Sequence, residues 1–341
     1  MASSFTLKAS LLLSSLATVA GISITPVHAA SDTLVLYNGQ HKDATSALIE
    51  AFEKKTQIKV TSRDGKSNEL AHQIIAEGDR SPADILYTEE SSPQVMLAQN
   101  GLLAEIDATS LENIPTDYRD AKNRWTGVLG RSRVVVYNPD MIDEAELPKS
   151  VMDLQGGEWE GRFAFVPTSG AFQKQLSALI KLEGRDVAKA WLKGLKEHGK
   201  IYRKNTLVLD AVERGEIDFG LINNYYWDRQ AKEKGMENMR SRLYFFGSND
   251  LGDMLTVASM SILKSSDKQE AAQQFIAFAV SKEGQQILTD KSAQYPLNSE
   301  AETHPDLKPF KELTPPKGTL DLGEYGDGQA AVDLLQEVGL L

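Results

Sequence analysis

Short β-rich runs and helix-periodic runs alternate from one end of this chain to the other, the pattern of an α/β fold with largely parallel sheets. Thr33 to Leu36 reads as a strand, and the spacing of Ala44, Leu48, Ile49 and Phe52 predicts a helix behind it, with Asp43 placed to cap its start. Ile58 to Thr61 is a second strand, followed by a helix that carries Leu70, Ile74 and Ile75 and stops at Gly78. Ala83 to Leu86 is a third, and Ser92 begins another helix that ends at Gly101. This opening stretch is a βαβαβα unit.

Arg133 to Tyr137 (RVVVY) is the strongest strand in the chain, and the Asn138-Pro139 pair after it turns the backbone away. It predicts a crossing into a second lobe. There the alternation resumes: strand Arg162 to Val166, helices Phe172 to Lys181, Val187 to His198 and Leu207 to Arg214, and strand Ile217 to Ile222. Leu255 to Leu263 predicts a second crossing, back to the first lobe. A long helix from Asp267 to Val280 follows, with Ser266 and Gln269 spaced as a capping box. Thr314 to Gly318 reads as a loop and Ala330 to Val338 as a terminal helix. The expected architecture is two α/β lobes joined by crossing strands with a cleft between them.

The N-terminus reads as a cleaved export signal: Lys8, an apolar stretch from Leu11 to Ile24, and the small-residue pattern Val27-His28-Ala29. Roughly 312 residues would remain, enough for two cores. The expected division is a signal over 1–29, a first lobe over 30–132 completed by 256–306, and a second lobe over 133–255 with 307–341 packed on it. No later run reaches the ~18 apolar residues a membrane span needs, so the mature chain is expected to be soluble and not inserted.

With no cysteine, disulfides, thiol catalysis and cysteine metal sites are all excluded. The formal charge of −11, one unit more acidic once Lys8 is removed, argues against nucleic acid as a partner. It suits a cationic ligand without selecting one.

Chemistry-bearing residues gather where strands end, the place where α/β clefts bind ligands. The string Ile222-Asn223-Asn224-Tyr225-Tyr226-Trp227 closes a strand with two amides, two phenols and an indole. Tyr37-Asn38-Gly39-Gln40-His41-Lys42 follows the first strand, and Tyr87-Thr88-Glu89-Glu90 follows the third. Taken singly, adjacent tyrosines are ordinary packing residues, a lone histidine is usually structural, and paired glutamates form a solvated edge. Together they offer imidazole, carboxylate and two hard, anionic phenolates, a set suited to Fe(III). A phenol with an ordinary pKa near ~10 gives up its proton at neutral pH only to a strongly Lewis-acidic ion.

In their order and spacing, the strings YNGQHK, YTE, PTSGAF and NNYYW resemble the periplasmic ferric-ion-binding proteins, the transferrin-like substrate-binding subunits of ABC iron importers. The likeness runs over essentially the whole mature chain. It implies the type II periplasmic binding protein fold, a periplasmic and monomeric protein, one Fe(III) held by His41, Glu89, Tyr225 and Tyr226, and delivery to an inner-membrane ABC permease. It also implies a synergistic anion of phosphate or carbonate type, bound by Ser169, Gly170, Ala171, Asn205 and Asn223. Read without the family, Ser169 and Asn205 are helix caps, although the strand-to-helix run Pro167 to Phe172 presents free N–H groups of the kind anions seek.

At Glu90 the sequence departs from relatives that often carry glutamine there. A carboxylate cannot donate the amide's hydrogen bond to an anion and would repel phosphate. Three outcomes are open: the side chain turns to solvent, it stays protonated, or it makes phosphate a poorer partner. The expectation is weaker dependence on phosphate. The same fold also carries polyamines, thiamine and organophosphonates, and an exported hydrolase is a further alternative. Neighbouring glutamates on an extended segment face apart, however, and there is no G-x-S-x-G elbow or H-E-x-x-H helix.

Overall fold

The structure, a computed structural model, describes residues 33–302 and 328–341 together with Met1, Lys308 and Leu313. The export signal and the Thr314 to Gly318 loop lie outside the described residues. Every element below belongs to the compact unit Asp32–Leu341. Among the described residues no helix is long and apolar enough to cross a membrane.

The first half is built as β1 (Leu34–Asn38), α1 (Lys42–Thr56), β2 (Val60–Asp64), α2 (Ser67–Glu77), β3 (Ile85–Thr88) and α3 (Ser92–Gln99). β1 lies between β2 and β3, parallel to both. Leu34 and Leu36 of β1, Leu48 and Phe52 of α1, and Leu70 and Ile74 of α2 close this core from successive elements. Asp43 lies in the first turn of α1, and His41 takes the N-cap position in its place.

The strand found at Arg133 extends seven residues further toward the N-terminus, as β4 (Thr126–Tyr137), and all of it is buried. Its two parts belong to different partners. Thr126 to Ser132 pairs antiparallel with the return strand β9 (Leu255–Ile262), with a register shift between Gly127 and Leu129. Arg133 to Tyr137 pairs antiparallel with β7 (Phe219–Asn223) and β8 (Arg242–Tyr244). β9 in turn lies antiparallel against β3. The resulting order is β2-β1-β3-β9-β4-β7-β5-β6, where β5 is Phe163–Phe165 and β6 is Lys200–Ile201. The sheets are therefore mixed: parallel within each lobe, antiparallel at the crossing strands. As expected, two α/β lobes are joined by the crossing strands β4 and β9.

The second lobe carries α4 (Gly170–Glu183), α5 (Arg185–His198), α6 (Asn205–Glu213) and α7 (Asn224–Lys234). Its aromatic core runs from Trp159 and Phe219 through Phe163 and Phe165 to Phe172 and Trp191, with neighbouring centroids 5.4 to 6.3 Å apart. Such ring pairs add about 0.5–1.5 kcal/mol each beyond their burial. The Trp191 indole N–H donates to the Val151 carbonyl at 2.9 Å, so its one polar atom is satisfied inside the core.

After β9 the expected long helix is shorter, α8 (Gln269–Val280), with Lys268 at its N-cap position. Ser266 is not its cap; its hydroxyl accepts from Lys268 N–H and donates to Asp84. A helix that the sequence reading did not anticipate follows as α9 (Lys282–Ser292), capped by Ser281 accepting from Gly284 N–H at 3.1 Å. β10 (Tyr295–Pro296) then pairs with β4, and α10 (Gln329–Glu337) ties to α5 through Arg185 and Lys189 on Glu337.

Candidate metal centre

The loop after β1 is organised by one buried carboxamide. Asn38 Oδ1 accepts from Gln40 N–H and Thr45 Oγ1, both at 3.0 Å, and its Nδ2 donates to Gln40 O and Asp64 Oδ1. Gln40 Oε1 then accepts the His41 backbone N–H at 2.8 Å. With its backbone so fixed, His41 sits at the start of α1 and makes no capping bond with its side chain. Its Nε2 is buried without a hydrogen-bond partner and stands 4.0 Å from Glu89 Oε1. Burial, reinforced by Arg131 and Arg229 against the pull of Glu89, holds its pKa below the ordinary 6.5. At neutral pH the imidazole is uncharged and offers a lone pair.

Glu89 leaves the end of β3, its backbone N–H donating to Ser67 Oγ at 3.0 Å. Thr88 Oγ1 bridges to the carbonyls of Glu90 and Ser259 and fixes the turn between the two glutamates.

Tyr225 and Tyr226 arrive from the other lobe. β7 ends at Asn223 and α7 begins at Asn224, so the phenols occupy the first turn of a helix and not the strand end itself. Their ring centroids are 4.2 Å apart, and the Tyr225 ring meets His41 edge-on at 5.6 Å. Burial first, then Tyr226, raises the Tyr225 pKa well above 10, and Arg131 opposes the rise. Among the described residues no three of His, Asp and Glu converge as a metal site, so a metal held here needs the phenols.

The residues expected at the anion lie beside them. Ser169 stands at the N-cap position of α4, with no side-chain capping bond, and Gly170 and Ala171 open the helix. Asn205 is the first residue of α6, not the cap before it; its Nδ2 donates to Ser169 Oγ at 3.4 Å and its Oδ1 is buried without a partner. Asn223 Oδ1 accepts from Arg133 Nη1 at 3.1 Å. A cavity of about 290 Å³ is lined jointly by Glu89, Glu90, Ser169, Gly170, Ala171, Asn205, Asn223, Tyr225 and Tyr226. His41 joins the group from behind, through Tyr225 and Glu89.

Sequence reasoning missed the buried cations in and around this cavity, of which Arg131 lines it. Arg131 and Arg133 lie two residues apart on β4, hence on one face, and each is 2 % exposed. Burial disfavours the Arg131 charge, but Glu89, Glu90 and the two phenols together hold its pKa above the ordinary value. Arg133, buried with only the phenols to offset the cost, falls to about 10. The available signal was a pair of arginines inside the most apolar strand of the chain. Lys174, on the first turns of α4, bonds Ser92 Oγ across the cleft, and burial lowers it to about 8.

Comparison with known proteins bears on this arrangement. Residues 80–316 match the family described as bacterial extracellular solute-binding protein. The chain is 41% identical over 312 residues to the major ferric iron-binding protein of Neisseria meningitidis, covering 90% of this chain and 93% of that one. It is 37% identical over 313 residues to the Fe(3+)-binding periplasmic protein of Serratia marcescens, covering 92% of each. The crystal structure of iron-bound HitA from Pseudomonas aeruginosa is similar with a TM-score of 0.84 and 48% identity, over 90% of this chain and 99% of that one.

Proposed function

This chain belongs to the family of bacterial extracellular solute-binding proteins, and from that membership we propose that its cleft captures one Fe(III) ion for import. It is a binding protein and not an enzyme. His41 and Glu89 supply ligands from the first lobe, and Tyr225 and Tyr226 from the second. Ser169, Gly170, Ala171, Asn205 and Asn223 form the shelf for a small anion of phosphate or carbonate type. The mature chain is read as a periplasmic monomer, freed of residues 1–29, that delivers iron to an inner-membrane ABC permease. The first lobe is read as 30–132 with 256–306, and the second as 133–255 with 307–341.

The observation that carries the reading is the pair of phenol rings, centroids 4.2 Å apart, that share a cavity with Glu89 of the opposite lobe, Tyr225 meeting the His41 imidazole edge-on. Each phenol that ligates must release a proton, which only a strongly Lewis-acidic ion drives. Arg131 eases that step at Tyr225, since its charge favours the phenolate. A polyamine is the poorer cargo for a cavity that also presents Arg131, Arg203 and Lys204. The test is the visible spectrum and metal content of protein taken from the periplasm. A coloured protein with one iron, bleached in the Tyr225→Phe, Tyr226→Phe double variant, is expected; a colourless, iron-free protein that cannot be loaded would sink the reading.

A further inference from the structure

Glu90 does not turn to solvent. Its carboxylate stands 3.5 Å from Arg131 Nη2, with the side chain 22% exposed. It also lies against the start of α4: a Cβ built on Gly170 would come within 2.8 Å of Glu90 Oε1. The carboxylate therefore occupies the mouth of the shelf that the backbone at Gly170 and Ala171 offers to an anion. Three positive features converge there. The α4 N-terminus supplies a partial charge, Arg131 a full one, and Lys174 lies one helical turn beyond Gly170 in the electrostatic reach of Glu90. Arg131 is further marked as part of a built site, because its Nε is buried without a partner.

We propose that Glu90 is the resident anion of this cleft: an internal carboxylate set between Arg131 and the α4 N-terminus, taking the electrostatic place of a free phosphate beside the iron. The inference rests on the iron-binding reading above. An internal anion is always at hand, so iron retention is independent of phosphate concentration. A phosphate dianion brought to the same shelf meets a carboxylate where it would need a donor. The rest of the shelf, at Ser169, Asn205 and Asn223, is left to water or to a smaller anion of carbonate type.

The experiment loads the mature protein with iron from ferric nitrilotriacetate. The loss of the visible band is then followed on challenge with EDTA, with and without inorganic phosphate. Wild-type protein is expected to lose iron at one rate whatever the phosphate. Glu90→Gln restores a donor and removes the charge, and phosphate should slow its loss by about tenfold, the mass-action effect of a ligand well above its dissociation constant. Glu90→Ala opens the shelf, and added acetate should slow its iron loss while leaving wild type unchanged. Equal phosphate effects in wild type and Glu90→Gln overturn the proposal, as does Glu90→Ala protein indifferent to acetate. In both cases the visible band persists, whereas failure of the iron reading removes the band from wild type as well.

Discussion

Asn224 Oδ1 accepts the backbone N–H of Ser132 at 3.0 Å, joining the first residue of the phenol-bearing helix to the last residue of β4 that pairs with β9. One residue on, Arg133 pairs with Asn223 on β7, so this bond sits where the strand passes from one lobe to the other. The same carboxamide donates to Asp228 Oδ2 at 3.0 Å. Ligand helix and crossing strand are thereby one hydrogen-bonded unit.

Replacing Asn224 with leucine keeps the branched outline of the side chain, in slightly greater bulk, but leaves the buried Ser132 N–H unmet and takes a donor from Asp228. Loss of about 3 kcal/mol is expected. It should appear as a lower urea midpoint with unchanged slope. Iron should also leave faster, because the first turn of α7 is no longer pinned to the strand.

The phenol at position 225 gives a pH signature. Its pKa is raised well above 10 by burial, so in metal-free protein it carries its proton throughout the neutral range, and iron must displace it. The lowered pKa of His41 means that above about pH 7 the imidazole adds no competing proton. Iron affinity should therefore climb with pH between about 7 and 8, and Tyr225→Phe should reduce the slope of log affinity against pH by about one. An unchanged slope would remove Tyr225 from the ligand set.

Asp253 provides a stability signature of opposite sense. Burial, with Asp250 adding to it, raises its pKa to about 6, although the backbone N–H groups of Phe246 and Gly247 and the charge of Lys308 pull it down. A carboxyl whose folded pKa lies above its unfolded value binds more protons in the native state. Its contribution is fully present below about pH 4 and is lost as pH rises through about 6. Urea midpoints at pH 5 and pH 7 should show it: going from wild type to Asp253→Asn, the pH 5 advantage should shrink.

The strand at Arg133 was legible because three consecutive valines and a tyrosine leave little else for that run to be. The preceding segment, TGVLGRS, carries two glycines and polar residues, and only its pairing with β9 makes it strand. α9 was hidden for a similar reason. Gly284 and a polar run weaken its pattern, yet the glycine is required because a Cβ there would strike the Phe278 carbonyl. The ligand residues stood out as chemistry at the ends of strands. Arg131 and Arg133 did not, since an arginine's burial is decided by what packs across it, and that comes from β7, β9 and the turn after β3.

Gly170→Ala tests the resident carboxylate without touching it. Position 170 opens α4, and nothing in its backbone requires glycine, since it is absent from the left-handed residues. Alanine is the better helix former, so fold stability should hold or rise by up to about 1 kcal/mol. The new methyl group would nevertheless stand 2.8 Å from Glu90 Oε1, and only that flexible side chain is in its way. Glu90 should swing off the helix start, leaving Arg131 and the α4 N–H groups facing an anion from solution. The variant should then keep its melting temperature and its iron band while acquiring a phosphate-dependent rate of iron loss. A stable variant whose iron loss stays as indifferent to phosphate as wild type would show that the contact between Glu90 and Gly170 does not govern the anion shelf.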